Sequence, residues 1–224
     1  MASLSTIAQT IADNIGKPFD ELLLERLKYE IVSKRATLLR NDFTKNKMIY
    51  QQLVQSIDCI KMEKVSSNEC CSVDLGDDCK VSKSVEKVPT PLRMKENSSP
   101  FNYVGGINMT TPFTYTLPEK VPFMMGRRYG KKNRIYYAYV NEHIYAFHLY
   151  GQSAVEKISL RGIWEDPVEL AELKTCSGEA CATIDDFPIP RDMEDPIKRL
   201  IYDELKAMDV SMESEISIDE EVRK

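Results

Sequence analysis

The sequence predicts an α+β protein, with a helical hairpin at the N-terminus, a β-rich middle containing an antiparallel hairpin, and a C-terminal helix followed by an extended acidic arm. Three observations carry that prediction. Apolar residues recur at three- and four-residue steps over the first 60 positions. Tyrosine-rich and β-branched runs flank Asn141-Glu142. Helical spacing then returns after Asp192. The predicted segments are 1–58, 59–166, 167–208 and 209–224.

In chain order, Ser5 or Thr6 can cap a short helix through about Asn14, with Gly16 ending it. Pro18 suits the first turn of a second helix, where its missing N–H would have no partner. Phe19, Leu22, Leu23, Leu27, Ile31 and Leu38 form one stripe from Pro18 to about Arg40, long enough to need a packing partner. Asn41-Asp42 marks a break. Met48, Leu53, Val54, Ile57 and Ile60 supply a second stripe, so the two read as an antiparallel helical hairpin.

The middle changes character. Cys59 to Val65 and Lys80 to Val88 alternate with period two, as strands do, around a polar loop over residues 66–78. Pro89, Pro91, Pro100, Pro112, Pro118 and Pro122 exclude a long helix beyond it. Short strands are expected near Phe101 to Val104 and Pro112 to Leu117. Ile135 to Val140 and His143 to Leu149 then form a β-hairpin through Asn141-Glu142, with asparagine where a positive φ is needed. Lys157 to Ile163 makes one more strand. Pro167 to Leu173 is a short helix, Asp185 to Pro190 an extended link, and Asp192 to Met208 a helix with Ile197, Leu200, Ile201 and Leu205 on one face. Residues 209–224 carry six acids against Arg223 and Lys224 and few large apolar groups, so alone they should be disordered or ordered only against a partner.

Composition narrows function. The chain is 42% hydrophobic and 29% charged, ordinary for a globular protein, and its net charge of −5 gives no bulk argument for nucleic acid. Residues 1–16 lack the basic and apolar regions of a signal peptide, and no run reaches the ~18 apolar residues of a membrane span, so a cytoplasmic chain without membrane contact is expected. The six cysteines, Cys59, Cys70, Cys71, Cys79, Cys176 and Cys181, read first as free thiols of a reducing compartment, and their irregular spacing with no nearby histidine disfavours zinc.

Chemistry leaves little trace. His143 and His148, the only histidines, lie five apart on one strand and so face opposite sides. No phosphate-binding loop, dinucleotide fingerprint, HExxH or GxSxG is present. Asp77-Asp78 and Asp185-Asp186 suit turns and caps. The expectation is a non-enzyme without cofactor or metal.

One cluster stands apart. Arg127, Arg128, Lys131, Lys132 and Arg134 occupy a glycine-containing stretch without an acid, beside Tyr129. Such a loop can follow a phosphate backbone or dock on an acidic partner, and it can also be a solubilising loop. A second basic group, Lys34, Arg35, Arg40, Lys45 and Lys47, reads as solvated helix ends. Tyr136, Tyr137, Tyr139, Tyr145, Phe147 and Tyr150 put aromatics on both faces of the hairpin, to be covered by the chain itself or by a neighbouring subunit.

Residues 11–46, with Gly16-Lys17-Pro18, Leu24-Glu25-Arg26-Leu27-Lys28 and Arg35-Ala36-Thr37-Leu38-Leu39-Arg40, resemble the start of head-to-tail connector proteins of podovirus-like phages, especially crAss-like bacteriophages. The order of helical, β-rich and helical segments resembles that group too. The resemblance implies a virion ring, commonly of twelve copies, assembled in the host cytoplasm between the portal protein and neighbouring tail or connector rings, with genomic DNA passing through its lumen. It also implies portal docking by a C-terminal arm, here Asp209, Glu213, Ile216, Ile218 and Lys224. The alternative is a free nucleic-acid-binding regulator that uses residues 126–134.

Overall fold

A computed structural model of the protein describes residues 3–46, 51–65, 80–93, 98–121, 123, 134–148, 154–174, 176, 178 and 187–222. They fall into two compact units: residues 1–48 with 185–224, and residues 49–184.

The first unit is helical. Helix α1 (Leu4–Ile15) starts two or three residues earlier than the sequence suggests, because Ser3 is its cap: the Ser3 hydroxyl accepts the Thr6 N–H at 3.2 Å. Gly16 ends it in the left-handed region (φ 78°). Its N–H donates to the Asp13 carbonyl and that of Lys17 to the Ala12 carbonyl, both at 3.0 Å. Leu4, Ile7, Ala8, Ile11 and Ala12 form the buried stripe. Helix α2 (Glu21–Asn46) does not begin at Pro18. Asp20 caps it, its carboxylate accepting the Leu23 N–H at 3.0 Å, and Pro18 stays in the connecting turn. Nor does α2 break at Asn41-Asp42, since neither residue outweighs a helix already propagating on both sides.

Leu27, Ile31, Arg35, Leu39 and Phe43, every fourth residue of α2, are buried, whereas Phe19 and Leu22 are not. Helix α3 (Arg191–Val222) completes the unit, burying Met193, Ile197 and Ile201. Tyr202 accepts from Asn14 at 2.8 Å, and Lys34 pairs with Glu204. Instead of stopping at Met208 and becoming an extended arm, the chain remains helical to Val222. No glycine or proline follows Pro196 to stop it, and each added residue contributes a hydrogen bond.

The second unit is a seven-stranded sheet in the order β3-β7-β1-β2-β6-β5-β4. Its strands are β1 (Gln55–Val65), β2 (Lys80–Ser84), β3 (Tyr103–Gly105), β4 (Thr114–Tyr115), β5 (Ile135–Val140), β6 (His143–His148) and β7 (Lys157–Gly162). Among the paired strands only β4 and β5 run parallel. Ile57 and Ile60, expected on a helix, lie on β1, where three-residue spacing is reconciled with a strand by a bulge. Ile57 faces Leu160 and Ile60 faces Ile158, so β1 spends one extra residue and both isoleucines turn inward.

The hairpin forms as the sequence predicts. Asn141 (φ 51°) and Glu142 (φ 64°) both take the positive dihedrals of a two-residue turn, and β5 pairs with β6 from Ile135↔His148 to Val140↔His143. Alternation splits the hairpin between two clusters. Tyr137, Ile144 and Ala146 join the main core with Trp164, Phe101, Leu160 and Ile158. Ala138 and Phe147 join Val81 and Val121 on the other side, with Tyr136 and Tyr145 packed against them. Phe101 sits among aromatic rings, 5.7 Å from Trp164 and 5.3 Å from Tyr139 edge-on. The segment after Pro167 is a 3₁₀ turn (Val168–Ala171), opened by the Asp166 carboxylate accepting the Val168 N–H at 2.8 Å.

Candidate functional site

The hairpin turn, residues 86–90 and the turn after Pro167 line a concave cleft in the second unit. It has a volume of about 340 Å³, is lined by Glu86, Lys87, Val88, Pro89, Thr90, Glu142, Glu169, Glu172 and Leu173, and is open to solvent. Glu142 reaches it because the tight turn projects its side chain, and the Val88 N–H donates to the Glu142 carbonyl at 2.7 Å. Tyr139 donates to the Val88 carbonyl at 3.1 Å, so both backbone groups of Val88 are tied to the hairpin. Lys87 pairs with Glu142 at 2.7 Å and holds that carboxyl below its ordinary value by hydrogen bonding and charge.

Glu169 behaves in the opposite way. Burial pushes its carboxyl up, and the carboxylates of Asp166, Glu142, Glu172 and Glu165 reinforce the shift. The cleft is therefore negative in excess of its one lysine. Sequence reasoning missed it. The signal was the acid spacing Glu165, Asp166, Glu169, Glu172, but only folding brings Glu142 against it. Among the described residues no group of three or more His, Cys, Asp or Glu is placed to hold a metal ion.

The histidines follow their predicted separation. His148 shares strand parity with buried Ile144 and Ala146, and its Nε2 accepts the Val155 N–H at 3.2 Å. His143 has the opposite parity, and its Nδ1 lies 3.0 Å from the Ser84 carbonyl oxygen and 3.2 Å from the Ser84 hydroxyl. The Ser84 hydroxyl also accepts the Ile144 N–H at 3.1 Å. Both rings thus fasten neighbouring backbone and do not converge on a common point.

The thiol expectation needs correction. Cys59 on β1 and Cys176 are joined in a disulfide with Cα atoms 5.5 Å apart, although 117 positions separate them. No local spacing could announce a pair that only the sheet and the following turn bring together. Cys70, Cys71, Cys79 and Cys181 lie outside the described residues.

Of the basic cluster, Arg134 is exposed immediately before β5. Arg127, Arg128, Lys131 and Lys132 lie outside the described residues. Asp209, Glu213, Ile216 and Ile218 fall on the last turns of α3, and Lys224 lies outside the described residues. Arg35, read as part of a solvated helix end, is fully buried instead. Its Nε donates to the Pro188 carbonyl at 2.9 Å, and its guanidinium lies 5.5 Å from the centre of the Phe187 ring. It fastens the segment leading into α3 onto α2.

No helix among the described residues is long and apolar enough to cross a membrane. A family model described as phage tail ring protein 2, of the crAss ring group, matches residues 4–218. No curated protein matches the chain.

Proposed function

The chain belongs to the phage tail ring protein 2 family, and from that premise we propose that it forms one ring of the head-to-tail connector, between portal and tail, with DNA passing through the lumen. The observation that carries the reading is the extent of the match: residues 4–218 include both units and most of α3, so the whole architecture belongs to a structural tail component of the virion. Its resemblance to phage connectors suggests a ring of twelve copies assembled in the host cytoplasm.

Physical features support the details. A ring is held by modest contacts multiplied by symmetry and requires no catalytic group. A net charge of −5 per copy keeps passing DNA from binding tightly. Arg127, Arg128, Lys131, Lys132 and Arg134 supply a local exception that touches DNA or an acidic neighbouring ring. The last turns of α3, bearing Asp209, Glu213, Ile216 and Ile218 and followed by Lys224, dock on the portal as a helix, with the order already in place.

Mass photometry of the purified chain, alone and mixed with the portal protein of the same phage, tests this. A closed multimer, free or formed only on the portal, is expected. A monomer indifferent to the portal overturns the ring. Tight, salt-dependent DNA binding by that monomer would then favour the regulator built on residues 126–134.

A further inference from the structure

The Cys59–Cys176 bond joins two parts of the sheet unit that are each anchored without it. Cys59 sits in the β1 bulge: Ile57 pairs with Leu160 and Ile60 with Ile158, so Asp58 and Cys59 together oppose Ser159. Both flanking isoleucines are buried, and β1 is held on one side by β7 and on the other by β2. Cys176 follows the turn after Pro167. There the Leu170 N–H donates to the Pro167 carbonyl and the Leu173 N–H to the Leu170 carbonyl, while Leu170 and Leu173 are buried in the main core. Neither anchor needs the sulfurs, so the fold is complete with two thiols.

The turn is also one wall of the acidic cleft, which Glu169, Glu172 and Leu173 line. Carboxylates of Asp166, Glu142, Glu172 and Glu165 crowd Glu169, and their mutual repulsion pushes that wall outward. Cys176 lies just beyond Leu173, so its tie to β1 acts against the repulsion. The bond spans 117 positions and encloses β2 to β7, which restricts the unfolded chain as well.

The tie is chemically reversible. Both cysteines are half-buried, which leaves the sulfurs within reach of small thiols and disulfides. Closing takes two protons and two electrons from the pair of thiols. A low-molecular-weight disulfide accepts them: one cysteine thiolate attacks it and releases a small thiol. The second cysteine then displaces the other small thiol. Excess small thiol runs the same steps backwards, so a reducing compartment opens the pair and an oxidising one closes it.

We propose that Cys59–Cys176 is a redox latch on the acidic cleft. It is a dithiol while the chain folds and assembles in the reducing host cytoplasm, and a disulfide fixing the Val168–Leu173 wall to β1 once the particle is outside. The compartment assigned to each state rests on the ring reading; the switch itself does not.

The test equilibrates the full-length protein in graded mixtures of reduced and oxidised glutathione. Free thiols are then alkylated, and the Cys59 and Cys176 peptides are quantified by mass spectrometry. The pair should be mostly dithiol at the poise of a reducing cytoplasm and mostly disulfide in oxidised glutathione. Hydrogen exchange at the Leu170, Glu172 and Leu173 amides should run at least about tenfold faster in the dithiol form, a larger change than in β5 and β6. A disulfide that persists at the cytoplasmic poise, or thiols that persist in oxidised glutathione, overturns the latch. So does equal exchange of the wall in both forms. The Cys59→Ser/Cys176→Ser variant should show the fast exchange at every glutathione ratio. Exchange that still followed the ratio would assign the effect to other thiols and overturn the latch. Mass photometry of both redox forms with the portal checks the ring reading separately. Monomers in both overturn that reading and the compartments assigned here, while the glutathione transition still decides the latch.

Discussion

The two units differ in what they bury. The sheet unit turns its largest groups inward: Trp164, Tyr137, Leu160 and Ile158 are buried together, and a Cys59–Cys176 disulfide joins distant segments. The helical unit buries a charged Arg35 and leaves Phe19, Leu22 and Tyr29 outside. The sheet unit also leaves Phe123 77% exposed, so the contrast lies in what each core hides: aromatic and aliphatic groups in the sheet unit, a charged side chain among them in the helical unit.

Substitutions sharpen that contrast. The largest effect should come from Trp164→Ala, which removes the largest fully buried side chain of the sheet unit. A loss of about 3–5 kcal/mol is expected in denaturant titration. Hydrogen exchange should show protection falling in β1, β6 and β7 while α1 and α2 keep theirs. Equal loss in both units would erase the comparison.

Opening the disulfide comes next. Reduction, or Cys59→Ser with Cys176→Ser, should lower stability by about 2–4 kcal/mol, read as a lower melting midpoint with reductant. An unchanged midpoint would remove the bond from the list of what holds the sheet unit. For the helical unit, Arg35→Ala should cost about 2–3 kcal/mol, because it leaves space under Phe187 and an unmatched Pro188 carbonyl. Arg35→Met, which keeps the volume, should cost less. Equal losses would mean that charge matters there more than packing.

The smallest effect concerns the acidic cleft. Because folding raises the Glu169 carboxyl, the folded protein holds that proton more tightly than the unfolded chain does. The contribution is therefore favourable at low pH and is lost as pH rises through the folded value. Glu169→Gln should raise stability at pH 7 by a few tenths of a kcal/mol, an effect limited by solvent screening, and this gain should vanish below about pH 4. A variant less stable than wild type at pH 7 would show that the carboxylate holds the cleft together.

Much of this was legible in the residues. The Asn141-Glu142 turn, the alternation of β5 and β6, the Gly16 cap and the return to helix near Asp192 are local, each decided by a few neighbouring side chains and the dihedrals they allow. The strand identity of Ile57 and Ile60 was not, because their three-residue spacing suits a helix until β7 pairs with β1 and a bulge absorbs the extra residue. Of the proposed contact residues, only Arg134 has a described side chain. The acidic cleft escaped because Glu142 and Glu169 meet only in three dimensions.

By itself, then, the sequence determined the class of fold, the hairpin and its register, the absence of any recognisable catalytic motif, and a family resemblance over residues 11–46. Tertiary structure alone decided that Arg35 is buried while Phe19 and Leu22 are not, that Cys59 meets Cys176, and that the two ends of the chain share one helical unit. The reason is that helical period and turn chemistry are short-range, whereas which side of a stripe is covered depends on what packs against it. On α2 both sides carry apolar residues, so periodicity could show a stripe without showing which part of it faces in.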